Sequence, residues 1–249
     1  MKKCLFPLAL VSLTVIGALP GQAAVINTVF EDDLVGNGGT NVTLTPFNNL
    51  ALSATLTSTG WTAAHPECSI AVLQDGSLGD SGGGKSNQAA LSSTNPWTLT
   101  IALNNAVSLG GYTISGINLI SGWNSDDVNM NYTVSYSTVS DPGTFTSLGT
   151  YKADSTLVTT NVDAYKAITL KSALTADSGV LAADVASIRF VFNTEAATSV
   201  GTSHGLGSTA YREIEVIGVQ SVPEPSTWAM LVGGMGMLAF GQRMRHRSA

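Results

Sequence analysis

Trp97-Thr98-Leu99-Thr100-Ile101-Ala102-Leu103 decides the fold class, because large apolar side chains fill every second position and small or hydroxyl-bearing ones stand between them. Successive side chains of an extended chain point to opposite faces, so a period of two marks a strand with one buried side and one wet side. Working outward, the same alternation returns in Tyr132, Val134 and Tyr136, in Ile188, Phe190 and Phe192, and in Ile214 and Val216 between Glu213 and Glu215. Shorter traces occur at Val42 and Leu44, at Leu50, Leu52, Ala54 and Leu56, at Ile117 and Leu119 leading to Trp123, and at Ile168 and Leu170. Asp141-Pro142-Gly143 predicts a turn, after which Phe145 to Tyr151 returns as a strand. Val25 to Gly39 is weakly patterned, and Ala173 to Ala186 is the one stretch that could hold a brief helix, though Gly179 weakens it. Some nine short strands separated by turn clusters predict an all-β chain, a single jelly-roll β-sandwich.

Both ends of the chain read differently from this middle. Lys2 and Lys3 precede an apolar stretch from Leu5 to Leu19, and Gly21 and Ala23 are the small residues expected before a cut. Residues 1–23 are therefore read as a secretory signal peptide, residues 24–221 as the β domain and residues 222–249 as a separate tail. In that tail Pro223-Glu224-Pro225 is followed by an apolar run, Trp228 to Phe240, and then by Arg243, Arg245 and Arg247. Thr227 to Gln242 would span about 24 Å as a helix, short of roughly 30 Å of bilayer core. Four glycines in this stretch would make a poor soluble helix, so a single membrane-spanning helix is expected, with its arginines on the cytoplasmic side.

Charge and cysteine content restrict the partners. Between Val25 and Ser221 there are 16 acidic and six basic residues, a balance near −10, which argues against nucleic acid as a ligand. With Cys4 in the signal, Cys68 is alone in the mature chain, so neither an intramolecular disulfide nor a cysteine-built zinc site is expected. Either a buried thiol or a bond between molecules remains open for Cys68.

The tail resembles the PEP-CTERM sorting signal of exported bacterial proteins, through the Pro223-Glu224-Pro225 triplet, the apolar run and the basic end in that order. The resemblance implies an exosortase as partner, export through the inner membrane, transient anchoring, and delivery to the cell surface or extracellular matrix. Two prolines keep the triplet out of any helix, leaving its backbone extended for an enzyme at the membrane face.

From about Asn48 to Gly218 the chain also resembles galactose-binding-like, discoidin-type sandwiches. The resemblance rests on Asp75-Gly76, Pro96-Trp97, Trp123, Tyr132 to Ser137 and Arg212 to Val216. It implies a non-catalytic module that binds glycans or lipid head groups through loops at one end, with a structural calcium ion beside an Asp-bearing loop. On that basis Asp75 is the candidate calcium ligand, and Trp61, Trp123 and Asn124 are the candidate contacts for a carbohydrate such as an exopolysaccharide. Core packing is the expected duty of Trp97 and the alternative for Trp123, since each adjoins an alternating strand. Asn124-Ser125-Asp126-Asp127 offers further hard oxygen donors, without the spacing of an EF-hand.

Two enzyme motifs occur in glycine-rich loops. Gly79 to Ser86, GDSGGGKS, has the phosphate-loop spacing, but the residues before Asn95-Pro96 leave no room for the following helix. Gly201 to Gly205, GTSHG, has nucleophile-elbow spacing around Ser203, yet no Asp follows it and a strand replaces the required helix. No catalytic residue is therefore assigned. Glycosidase chemistry by scattered carboxylates, and a purely structural surface role, stay as the alternatives.

Overall fold

The alternating stretches become strands because threonines and β-branched residues between the apolar positions suit a half-buried pleated surface. The computed structural model describes residues 23–31, 48–66, 68–78, 90, 92–124, 129–153, 167–193 and 209–221. Its strands are β1 (Ala23–Glu31), β2 (Thr55–Thr59), β3 (Trp97–Ala102), β4 (Tyr112–Asn124), β5 (Met130–Thr138), β6 (Thr146–Ala153), β7 (Ala167–Ala176), β8 (Ala182–Phe192) and β9 (Tyr211–Gln220). Two 3-10 helices cover Leu50–Ser53 and Ile70–Gln74. In β3 the buried positions are Trp97, Leu99 and Ile101, as the alternation predicts.

Three expectations are corrected. Leu50 to Leu56 is not one strand: Asn49 caps a 3-10 helix by accepting a hydrogen bond from the Ala51 N–H at 3.0 Å, and β2 begins only at Thr55. Ala173 to Ala186 holds no helix, because β7 runs through Ala176 and turns into β8. Gly179 sits in that turn at φ +74°, a conformation that ends a strand cheaply and breaks a helix. The weakly patterned stretch after Val25 contains β1, which pairs with β7 from Ala23↔Ala176 to Glu31↔Ile168. The strand expected at Val42 and Leu44 lies outside the described residues, as do residues 1–22 of the expected signal peptide.

All strand pairs are antiparallel, and they form two layers, β1-β7-β4-β9 and β2-β3-β8-β5-β6. The layers meet where β4 changes neighbour: Tyr112 and Ile114 pair with Val185 and Ala182 of β8, and from Gly116 onward β7 takes that side. Their inner faces touch directly. The Tyr132 hydroxyl of β5 lies 2.7 Å from the Ser172 hydroxyl of β7, and the Phe192 ring of β8 is 4.3 Å from that of Tyr211 in β9. Leu99, Ile101, Ile117, Leu119, Val134, Leu174, Ile188, Phe190, Ile214 and Val216 join one buried cluster between the layers. Each such side chain contributes about 1.5–3 kcal/mol by leaving water.

The registers give the sandwich two unlike ends. Pairs Ala23↔Ala176, Thr55↔Ala102 and Tyr112↔Gln220 lie at one end, where residues 103–111, 139–145 and 177–181 make short connections. Gly111 is required there: at φ +78° it passes so close to Asp184 that a Cβ would sit 2.6 Å from that residue's carbonyl carbon. At the other end, residues 60–96, 125–129, 154–166 and 193–210 link the strands.

Candidate functional site

Four aromatic residues form the floor of the long-loop end. Trp97 is buried and lies 4.2 Å from Phe192, which in turn meets Tyr211, while Trp61 approaches Trp97 edge-on at 6.5 Å. Edge-on and tilted arrangements match the ring quadrupoles and hold the base of the loops in one packing. Trp61 is half-buried, packs against Cys68 and Ala210, and keeps its buried indole Nε1 without a hydrogen-bond partner. Cys68 is a free, buried thiol, which settles its environment in favour of packing.

Backbone bonds knit this base together. The Ser93 N–H donates to the Thr62 carbonyl at 2.9 Å, and the Ala90 N–H to the Tyr211 carbonyl at 2.8 Å. Arg212 is fully buried and its Nε donates to the Gly122 carbonyl at 2.7 Å, tying the start of β9 to the end of β4. Trp123 and Asn124 are the last two residues of β4, with backbones paired to Ile168 and Ala167. Trp61, Trp123 and Asn124 are therefore brought to one end, and Trp97 serves the core as expected.

Asp75 lies elsewhere, beside β9. It is exposed and accepts a bond from the Ser77 N–H at 2.8 Å, an Asx turn, and partial burial pushes its carboxyl above the ordinary value. The turn presents the Gly76 N–H to Glu213 Oε2 at 3.2 Å. Glu213 has no exposed surface, and its Oε1 is buried without a hydrogen-bond partner. Burial, followed by the like charge of Asp75, pushes its carboxyl up to about 9. Asn49 faces the same group: its carbonyl oxygen is taken by the N–H groups of Ala51 and Val216 at 3.0 and 2.9 Å, and its buried Nδ2 has no partner. Glu215, next along, accepts from Asn118 Nδ2 at 2.6 Å and lies 3.8 Å from Lys171 Nζ.

Sequence reasoning missed Glu213. Alternation places it beside Glu215 on the face opposite Ile214 and Val216, and the register keeps it there, but the 70–78 segment covers that face and buries the carboxyl. A charged Arg-Glu-Ile-Glu run in a strand was the only available signal.

The pair of Asp75 and Glu213 fits a calcium ion in its chemistry. Both are hard oxygen donors, one oxygen is orphaned, and the charges that bear on Glu213, those of Asp75 and Glu215, are negative. Among the described residues no three His, Cys, Asp or Glu side chains gather, so carbonyl oxygens would have to complete the shell.

Several expected sites lie outside the described residues: Pro223, Glu224 and Pro225, the apolar run, Arg243, Arg245 and Arg247, Asp126 and Asp127, and both glycine-rich enzyme motifs. Among the described residues no helix is long and apolar enough to cross a membrane.

Comparison with known proteins gives two kinds of likeness. Residues 221–246 match the PEP-CTERM protein-sorting motif. The chain is similar to CpGH89CBM32-5 from Clostridium perfringens, solved with GalNAc-β-1,3-galactose, at 16% identity over 68% of this chain and 99% of that one, with a TM-score of 0.42. It is similar to the C-terminal domain of a chitobiase from Bacteroides fragilis at 17% identity, over 70% and 98% of the two chains, with a TM-score of 0.42. A family 32 carbohydrate-binding module of C. perfringens NanJ, solved with galactose, is 13% identical over 68% and 97%, with a TM-score of 0.41. No curated protein matches the chain.

Proposed function

We propose that this chain is an exported, non-catalytic carbohydrate-binding protein of the cell surface or extracellular matrix, with a galactose-binding-like jelly roll as its working domain. The observation that carries the reading is the division of labour between the ends. Trp61, Trp123 and Asn124 and the strand ends joined by residues 60–96, 125–129, 154–166 and 193–210 share one end, while Ser221, where the sorting motif begins, lies at the other. A half-buried tryptophan on a rigid floor offers a flat apolar face to a sugar ring, and an asparagine amide can both donate and accept for hydroxyls. Residues 1–23 would direct export and residues 24–221 bind. In residues 222–249, Pro223-Glu224-Pro225 would be presented to an exosortase while Thr227 to Gln242 spans the membrane, with Arg243, Arg245 and Arg247 on the cytoplasmic side. The excess of acidic residues, 16 against six between Val25 and Ser221, disfavours nucleic acid.

Calcium would act through Asp75 and Glu213, supplying positive charge that keeps both carboxylates ionised and braces the 70–78 segment against β9. The ion must displace a proton from Glu213, so its affinity should rise with pH up to about 9.

The test is retention of residues 24–221 on a glycan array, with and without calcium, including galactose and GalNAc-β-1,3-galactose. Saturable binding is expected, lowered about tenfold or more by Asn124→Ala or Trp61→Ala. Absence of binding under both conditions overturns the carbohydrate reading and leaves a structural surface protein. Turnover of a bound glycan overturns the non-catalytic one. Separately, alanines at Pro223, Glu224 and Pro225 should leave the chain uncleaved and membrane-held; normal release would refute the sorting step.

A further inference from the structure

The short-connection end gathers three features. The first is both described ends of the domain. Ala23 pairs with Ala176, and the Ser221 N–H donates to the Gly111 carbonyl at 2.9 Å while its hydroxyl lies 3.2 Å from that of Thr113.

The second is apolar surface. Among the described residues the large apolar side chains left exposed are Leu109 (84%), Val107 (60%), Val219 (56%), Leu52 (44%) and Val180 (36%). Val107 and Leu109 lie in the connection from β3 to β4, and Val180 lies in the turn from β7 to β8. Val219 pairs with Thr113, and the 3-10 helix of Leu52 follows Asn49, which bridges Ile217. Single exposed aliphatic residues are ordinary on a protein surface, but here they surround the point where the chain leaves the domain.

The third feature is charge. Among the described residues Lys152, Lys171 and Arg212 lie away from this end, pairing with Asn131 and Ile120 and binding Gly122, while Arg189 reaches it with its guanidinium 3.4 Å over the Phe145 ring. Exposed Asp177 and Asp184 sit among the apolar tips.

We propose that this end rests on a zwitterionic lipid surface while the chain still carries its tail. The inference depends on the reading above that residues 227–242 span the bilayer. Six residues separate Ser221 from Trp228, so across these seven steps the domain can stand no more than roughly 25 Å from the point where the apolar run begins. Such a tether makes contact with lipid intramolecular, and a few aliphatic tips too weak to bind alone then suffice. Apolar insertion beside exposed Asp141, Asp177 and Asp184, set against Arg189 alone, selects neutral over anionic head groups. Docked this way, the domain holds Pro223-Glu224-Pro225 in the interface plane and points its long loops away from the membrane.

The experiment places a fluorophore on Leu109→Cys, in a Cys68→Ala background of residues 24–249, reconstituted in phosphatidylcholine vesicles without exosortase. Brominated lipid should quench this label about threefold more than the same label on Thr62→Cys at the opposite end. Raising the salt should leave the quenching unchanged, and mixing in anionic lipid should lower it. Flotation with the vesicles reports the anchor separately. A chain that floats with both labels equally quenched, or with quenching abolished by salt, overturns the lipid-docking proposal alone. One that fails to float overturns the spanning reading and this inference with it.

Discussion

At the end where β4 begins and β9 stops, three short connections close the strands; at the other end, the described strand ends carry a floor of packed rings. The first end is fixed by backbone: Ser221 donates to Gly111, Leu181 to Ile114 and Gly111 to Ser108, at 2.9, 2.8 and 3.0 Å. The second adds to its backbone bonds a packing of side chains, through Trp97, Phe192, Tyr211 and the buried guanidinium of Arg212. Tight turns leave little room for a ligand, whereas loops on a rigid aromatic base can vary without disturbing the sheets beneath. On the proposed reading this difference suits one end to attachment and the other to recognition.

That contrast can be broken most severely at the aromatic floor. Phe192→Ala removes a fully buried ring that touches Trp97 and Tyr211 and should cost about 3–5 kcal/mol in chemical denaturation. A loss below 1 kcal/mol would mean that the long-loop end is not held by this packing.

Gly111→Ala attacks the opposite end through the backbone. The substituted residue must hold φ +78° with its Cβ 2.6 Å from Asp184, at a cost of roughly 2–3 kcal/mol. Unchanged stability would show that the turn can relax away from β8.

Glu213→Gln gives the smallest effect and depends on pH. The folded protein holds the Glu213 proton to about 9, above the ordinary value of 4.5, so in chelator its stability falls as pH rises between these values. The amide should flatten that fall and add about 1–2 kcal/mol at its alkaline end, while removing the stabilisation that calcium gives the parent. Thermal melts across pH, with chelator and with calcium, measure both effects. A parent insensitive to calcium would confine the Asp75 turn to a structural role.

Strands were legible wherever one face is buried and the other is wet, as in β3, β5 and the second half of β8, because burial there follows the period of the chain. Legibility failed where burial is set by distant segments. β1 lacks clean alternation and is a strand because β7 pairs with its whole length. Leu50 to Ser53 alternates, yet it curls into a 3-10 helix capped by Asn49, whose other hydrogen bond goes to Val216. Of the candidate site, Trp61 and Asp75 were proposed from sequence as a sugar contact and a calcium ligand, and Trp61 is partly committed to packing.

What the sequence determined by itself was the all-β class, the acidic cargo and the sorting tail, since each is written in local order: a period of two, a charge balance, a triplet before an apolar run. The tertiary structure alone decided that Ala23, Ser221 and the exposed aliphatic tips share one end, and that Asp75 turns toward a buried Glu213. Both facts arise from pairing between residues far apart in the chain, and local composition carries no record of strand order or register.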